Sequence, residues 1–152
     1  MNIETAKKML ALIPAQCPII LNGSFGCGKH TMLVSFAEDN NLSMANIDLS
    51  ETTIDDVIGV ETDRVLTTPV FWEKDILYFD RLEDINPDVH AAIWNVMLST
   101  NPLDNSTGDR YINGKPLRRN QRIIFGLNIN DLNSLNFDPV FWSLTSFVTL
   151  EE

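Results

Sequence analysis

The sequence has 152 residues, 44% of them hydrophobic and 21% charged, which suits one globular domain over residues 1–152 and excludes a disordered chain. The formal net charge of −10 argues against direct nucleic-acid binding, because so acidic a surface repels phosphate backbones. The apolar stretches are too short to span a membrane, so we expect no membrane association. Cys17 and Cys27 lack metal-ligand spacing and favour a reducing compartment, so we expect a cytoplasmic protein.

The first half of the chain alternates between helical and extended patterns. Apolar residues at helical spacing predict a short helix over residues 3–13, and the compact apolar run 18–22 predicts a buried strand. A second helix is expected from about Lys29. Alternation over residues 45–49 predicts another strand, and residues 54–58 predict one or two helical turns that stop at a glycine.

The second half continues the alternation. Residues 76–80 read as a buried strand, and a helix is expected to begin at Pro87, since proline is favoured at the first helical position. Residues 99–121 are rich in Asn, Asp, Gly and Arg and predict a long loop or hairpin. Residues 122–127 and 147–150 predict two more strands. Strands that alternate with helices indicate a parallel sheet covered on both faces.

A glycine-rich loop lies between the first strand and the second helix. It comprises Gly23, Ser24, Phe25, Gly26, Cys27, Gly28 and Lys29, and His30 and Thr31 follow it. Glycines allow a tight turn that points backbone N–H groups inward, and the N-terminus of the next helix attracts an anion. Lys29 can then reach the outer phosphates of a nucleotide. We therefore expect a phosphate-binding loop with ATP as its ligand; the alternative is a simple strand-to-helix turn.

The residue after the lysine departs from the usual pattern. A Ser or Thr hydroxyl at this position would ligate Mg²⁺, but the sequence has His30, and imidazole is a poor ligand for a hard cation. Thr31 does not substitute, since one helical step rotates its side chain by about 100°. We expect nucleotide binding to survive this change, whereas His30 argues against the usual placement of Mg²⁺.

Further segments follow the glycine loop in a fixed order. They are residues 47–50, an acidic turn at 55–59, the strand 76–80, the proline-led helix start 86–90, the strand 122–128 and the segment 137–141. Together they resemble the AAA+ ATPases over nearly the whole chain, and within them the MoxR-like and dynein-related branch. The resemblance implies an α/β three-layer P-loop NTPase with a mainly parallel five-stranded sheet. The helical lid of that family is not expected, since the sequence ends at Glu152.

The same resemblance assigns roles to two residues. Asp80 would close the Walker B strand and Asn128 would be the sensor-1 asparagine. From its own position, Asp80 ends a buried strand beside the glycine loop, where a carboxylate can hold Mg²⁺ through water; the alternative is a cap on the next turn. Asn128 can position water or contact the outer phosphate, and the alternative is a turn-forming asparagine.

Several groups needed for hydrolysis are missing. Arg81 replaces the Walker B glutamate, and a guanidinium cannot accept a proton. Glu83 is not expected to replace it, because in a continuing strand it would lie about 6 Å further along. We instead expect Arg81 to be a surface residue paired with Glu83 or Asp84. Residues 143–146 contain no cation where the family has its arginine finger, so hydrolysis should be weak or absent.

The remaining candidate residues, one histidine and three tryptophans, show no catalytic or ligand-binding pattern. His90 is expected on the surface. Trp72, Trp94 and Trp142 are expected in the core, and the alternative is a partner surface. The leading hypothesis is an ATP-binding AAA+-like domain that hydrolyses poorly and acts through a protein partner or a homo-oligomer. The alternatives are an interaction scaffold with an empty loop, and an ATPase that another subunit completes in trans.

Overall fold

The computed structural model describes residues 2–15, 17–23, 27–98, 110–112, 115–118, 120–128 and 146–150. The α-helices are α1 (Ile3–Leu12), α2 (Lys29–Asp39), α3 (Ile54–Ile58) and α4 (Pro87–Leu98). The strands are β1 (Ile19–Asn22), β2 (Met44–Asp48), β3 (Val60–Thr62), β4 (Val65–Thr67), β5 (Ile76–Asp80), β6 (Tyr111–Ile112), β7 (Lys115–Pro116), β8 (Arg122–Leu127) and β9 (Ser146–Thr149). Short 3-10 helices span Val70–Glu73 and Leu82–Asp84.

Five strands form one parallel sheet in the order β2-β5-β8-β1-β9. The central strands β1, β5 and β8 are almost wholly apolar, because a sheet covered on both faces buries every side chain. One hydrophobic cluster contains α4 residues and the other contains residues of α1 and α2, so helices cover both faces. The α/β fold and the parallel five-stranded sheet expected from the sequence are confirmed.

The helix ends follow local chemistry. Asn2 Oδ1 accepts the Thr5 N–H at 2.8 Å and begins α1. At its other end, the Arg122 guanidinium donates to the carbonyl oxygens of Leu10 and Ile13 at 3.1 and 2.8 Å. These bonds tie the end of α1 to the first residue of β8. In the described ranges no helix combines the length and apolar character needed to cross a bilayer.

An antiparallel hairpin, β3–β4, lies between α3 and β5 and was not expected from the sequence. Its two-residue turn places Asp63 and Arg64 at φ values of 51° and 64°. Such turns favour Asn or Gly, so an Asp-Arg pair gives little signal. The 3-10 helix that follows anchors this region, because Trp72 is buried and its indole N–H donates to the Val57 carbonyl at 2.7 Å.

The peripheral predictions had mixed outcomes. The predicted hairpin within 99–121 exists as β6 and β7, while residues 99–109 lie outside the described part of the chain. Trp72 is buried and Trp94 packs against the same core cluster, as predicted, whereas Trp142 lies outside the described residues. The prediction of an exposed His90 is wrong. His90 is half-buried and stacks against Trp94 with ring centroids 6.4 Å apart, and burial lowers its pKa.

Candidate functional site

A cleft of about 700 Å³ opens at the carboxyl edge of the sheet, where β5 and β8 end and α2 begins. Its described lining consists of Cys27, Gly28, Lys29, His30, Thr31, Tyr78, Asp80, Arg81, Glu83, Asp84 and Asn128. The structure therefore brings the second half of the glycine loop together with Asp80 and Asn128. Ser24, Phe25 and Gly26 of the predicted site lie outside the described residues.

The glycine loop is fixed at both ends. The Gly23 N–H donates to the Leu127 carbonyl at 3.0 Å, and a Cβ on Gly23 would collide with the Cys27 sulfur. Gly28 precedes α2 with a φ of 96°, a left-handed conformation that favours glycine. Among the described residues no side chain caps α2, so its first N–H groups stay available to an anion.

Lys29 lies over the loop it follows. Its ammonium group donates to the Gly23 carbonyl at 2.6 Å, and the side chain is half-buried in the cleft. A phosphate bound to the loop would therefore meet a cation that is already positioned at its edge. His30 and Thr31, the next residues, are exposed, and the His30 ring lies 6.4 Å from the Tyr78 ring, centroid to centroid.

Asp80 ends β5 and takes part in a local hydrogen-bond network. Its Oδ1 accepts the Tyr78 hydroxyl at 3.0 Å and the Arg81 N–H at 2.9 Å. Burial, reinforced by the Asp80 charge, raises the pKa of Tyr78 well above its usual range, so the hydroxyl remains a donor. The bond to Arg81 is the turn cap that the sequence left open as an alternative role for Asp80.

These residues fit a magnesium ion poorly. Mg²⁺ prefers oxygen ligands in octahedral geometry, yet His30 offers nitrogen and one Asp80 oxygen already accepts two hydrogen bonds. Over the described ranges, no group of three or more His, Cys, Asp or Glu side chains could hold a metal ion. The chain itself therefore supplies little coordination for a metal at this cleft.

Arg81 turns the chain sharply after β5. It has a left-handed backbone, with φ 64° and ψ 51°, and the 3-10 helix Leu82–Asp84 follows at once. Its guanidinium contacts Asp84 at 2.9 Å and lies 3.9 Å from Asp48. The predicted pairing of Arg81 with a nearby acid is confirmed for Asp84.

Glu83 occupies a position that the sequence did not predict. Because the strand ends at Asp80, Glu83 lies in the 3-10 helix and lines the cleft instead of continuing along β5. Its Oε2 accepts the Asn128 N–H at 3.2 Å. The continuing strand on which the expectation for Glu83 depended is therefore absent, since β5 ends at Asp80. No sequence signal marks this turn, since arginine rarely adopts the left-handed conformation.

The described lining carries more negative than positive charge. Lys29 and Arg81 are its cations, whereas Asp80, Glu83 and Asp84 are carboxylates. Arg81 is paired with Asp84, so Lys29 and the helix N-terminus are the main attraction for an anion. Residues 137–141 and residues 143–145 of the segment expected to lack an arginine finger lie outside the described part of the chain, whereas Ser146 begins β9.

The sequence matches no protein-family model and no curated protein. Its structure is similar to NtrX from Brucella abortus in complex with ATP, with a TM-score of 0.67 and 17% identity over 98% of this chain and 34% of that chain. It is also similar to closed-state Hsp104 with ATPyS and FITC casein, with a TM-score of 0.58 and 19% identity over 97% of this chain and 31% of that chain. This chain thus shares with these two proteins an α/β fold with a parallel five-stranded sheet, and it spans about a third of each matched chain.

Proposed function

We propose that this chain is a nucleotide-binding, AAA+-like domain that holds ATP at the glycine loop and hydrolyses it weakly or not at all. The observation that carries this proposal is the placement of Lys29 beside an uncapped helix N-terminus in a cleft that also contains Asp80 and Asn128. Backbone N–H groups and one ammonium are the chemistry that binds a polyphosphate. The similar fold of NtrX, solved with ATP, supports the same ligand.

Weak hydrolysis follows from the residues around the phosphate site. Arg81 stands directly after Asp80, where the AAA+ resemblance places a proton acceptor, and its guanidinium is held by Asp84. His30 and the engaged Asp80 oxygen leave little to place a metal. We therefore propose that the domain acts chiefly through a protein partner or self-assembly in the cytoplasm, as a divergent member of the MoxR-like and dynein-related branch.

Isothermal titration with ATP tests the proposal, with and without Mg²⁺ in the buffer. We expect binding with a dissociation constant below 1 mM (on the order of −4 kcal/mol or stronger). Lys29→Ala should weaken it by about ten- to a hundredfold, because a charge-assisted contact contributes about 1.5–3 kcal/mol. Lys74→Ala is the matched control, since Lys74 is exposed and precedes β5 at the opposite edge of the sheet. An absence of binding at millimolar ATP under both conditions would contradict the proposal.

An interaction scaffold with an empty loop is the second candidate. It is favoured by the excess of carboxylates in the cleft and by the Lys29 ammonium, which the loop itself engages through Gly23. A thermal-shift assay discriminates the two candidates. If ATP raises the melting temperature of the wild type but not that of Lys29→Ala, the nucleotide-binding function holds. If ATP raises the melting temperature of neither protein, the scaffold is favoured.

A further inference from the structure

Glu83 reaches the cleft because the chain leaves the sheet immediately after Asp80. The left-handed conformation of Arg81 starts the 3-10 helix, and Leu82 is fully buried in the core cluster beneath it. With Leu82 pointing inward and Arg81 paired with Asp84, the turn has little freedom to rotate. The Glu83 side chain is thereby directed to the cleft and is half-buried there.

Hydrogen bonds connect this carboxylate to the phosphate loop. Glu83 Oε2 accepts the N–H of Asn128, whose neighbour Leu127 accepts the N–H of Gly23 through its carbonyl. The Gly23 carbonyl in turn accepts the Lys29 ammonium. Glu83 and Lys29 therefore line the same cleft and lie at the two ends of one run of contacts.

The other carboxylates of the described lining make stronger local contacts than Glu83, which accepts one backbone N–H. Asp84 pairs with Arg81, and Asp80 accepts hydrogen bonds from Tyr78 and Arg81. For Glu83, the hydrogen bonds of the described residues involve Oε2 alone, so Oε1 can accept a proton from water. Glu83 thus combines an available basic oxygen with a fixed position.

We propose that Glu83 is the water-activating carboxylate of a slow ATP hydrolysis at this cleft, an inference that rests on the proposed nucleotide site. A water oxygen attacks the γ-phosphorus while its proton passes to the Glu83 carboxylate. The bond from the γ-phosphorus to the β,γ-bridging oxygen breaks, and its electron pair leaves with ADP. The proton on Glu83 then returns to solvent or to the released phosphate. A residue three positions after Asp80 takes the role that Arg81 cannot perform.

Single-turnover hydrolysis of ATP by the full chain tests the assignment. Glu83→Gln should lower the rate constant by about a hundredfold, because general-base catalysis contributes about 10²–10⁴-fold. Its amide oxygen can still accept the Asn128 N–H, so ATP affinity and melting temperature should stay close to the wild-type values. Glu61→Gln is the matched control, since Glu61 is exposed in β3 and does not line the cleft.

The outcomes separate this inference from the proposed function. Wild-type protein that binds ATP in a titration but releases no phosphate above a protein-free blank overturns the role of Glu83 and leaves nucleotide binding intact. Equal rates for wild type and Glu83→Gln overturn it as well. If Glu83→Ala is slow while Glu83→Gln is not, the side chain serves only as an acceptor for Asn128. A failure to bind ATP rejects both proposals.

Discussion

Gly126→Ala should destabilise the protein at the edge of the cleft. Gly126 lies in β8 beside Tyr78 and Asp80 of the neighbouring strand β5. A Cβ added there would stand 2.5 Å from Asp80 Oδ1 and 2.9 Å from Tyr78 Cζ, and closer still to the Tyr78 hydroxyl oxygen. Real Cβ atoms essentially never approach other atoms within 3.0 Å. Either the strands must separate or the Tyr78–Asp80 hydrogen bond must break.

The loss of stability in Gly126→Ala can be estimated from the overpacking and from the broken hydrogen bond. Overpacking a core costs about 1–3 kcal/mol, and Tyr78 cannot swing away because its side chain is fully buried. The hydrogen bond to a charged acceptor contributes about 1.5–3 kcal/mol, and the partial exposure of Asp80 favours the lower end. We expect a loss of about 3 kcal/mol in the free energy of unfolding. For a chain of this length, that lowers the melting temperature by about 9 °C.

Urea denaturation followed by tryptophan fluorescence measures the loss, and Tyr78→Phe identifies its origin. Alone, Tyr78→Phe should cost about 1–2 kcal/mol, because it removes the donor to Asp80. In the Gly126→Ala background it also removes the atom that the new Cβ meets first, so its cost should fall by at least about 1 kcal/mol. Additive effects, or a Gly126→Ala loss below about 0.5 kcal/mol, would refute the packing argument.

Gly59→Ala should lower the free energy of unfolding, measured by urea denaturation, by more than about 2 kcal/mol. Gly59 has a φ of 90°, and an added Cβ would collide with the Thr67 carbonyl. A loss within experimental error would show that the hairpin relaxes freely. Asp75→Asn should lower the free energy of unfolding by about 1 kcal/mol at pH 7. Hydrogen bonds from the Ser43 backbone N–H and the Arg118 guanidinium lower the Asp75 pKa below its usual 3.8. Because the Asp75 pKa is lower in the folded state than in the unfolded state, ionised Asp75 stabilises the fold above pH 3.8. That stabilisation is lost as the pH falls through the pKa of Asp75 in the folded state. The difference between wild type and Asp75→Asn should therefore shrink below about pH 4, and a constant difference in denaturation midpoint from pH 7 to pH 3 would contradict this account.

The sheet was predictable because its signal is local and strong. β1, β5 and β8 are continuous apolar runs, and the order of helices between them indicates parallel strands. Once the strands are parallel, their carboxyl ends must share one edge. That geometry alone places Lys29 near Asp80 and Asn128, which is why these members of the site were predicted without coordinates.

The remaining site chemistry depends on contacts that sequence periodicity does not encode. The Tyr78 hydroxyl reaches Asp80 because Gly126, on the adjacent strand, leaves room for it, and neither residue signals the other along the chain. The β3–β4 hairpin likewise depends on a turn whose two residues have no strong preference for it. Prediction fails at these points because a tertiary contact overrides a weak local preference.

The turn at Arg81 shows that one backbone conformation can change which side chains line a site. In an extended strand, residue 81 would follow Asp80 along the sheet, and Glu83 would lie about 6 Å beyond it. The left-handed conformation instead directs Arg81 to Asp84 and brings Glu83 to the Asn128 N–H. The loss of a glutamate from its expected motif position is therefore insufficient evidence that a site lacks a base. Whether a site has a base depends on which carboxylate lies beside the phosphate loop in the folded chain.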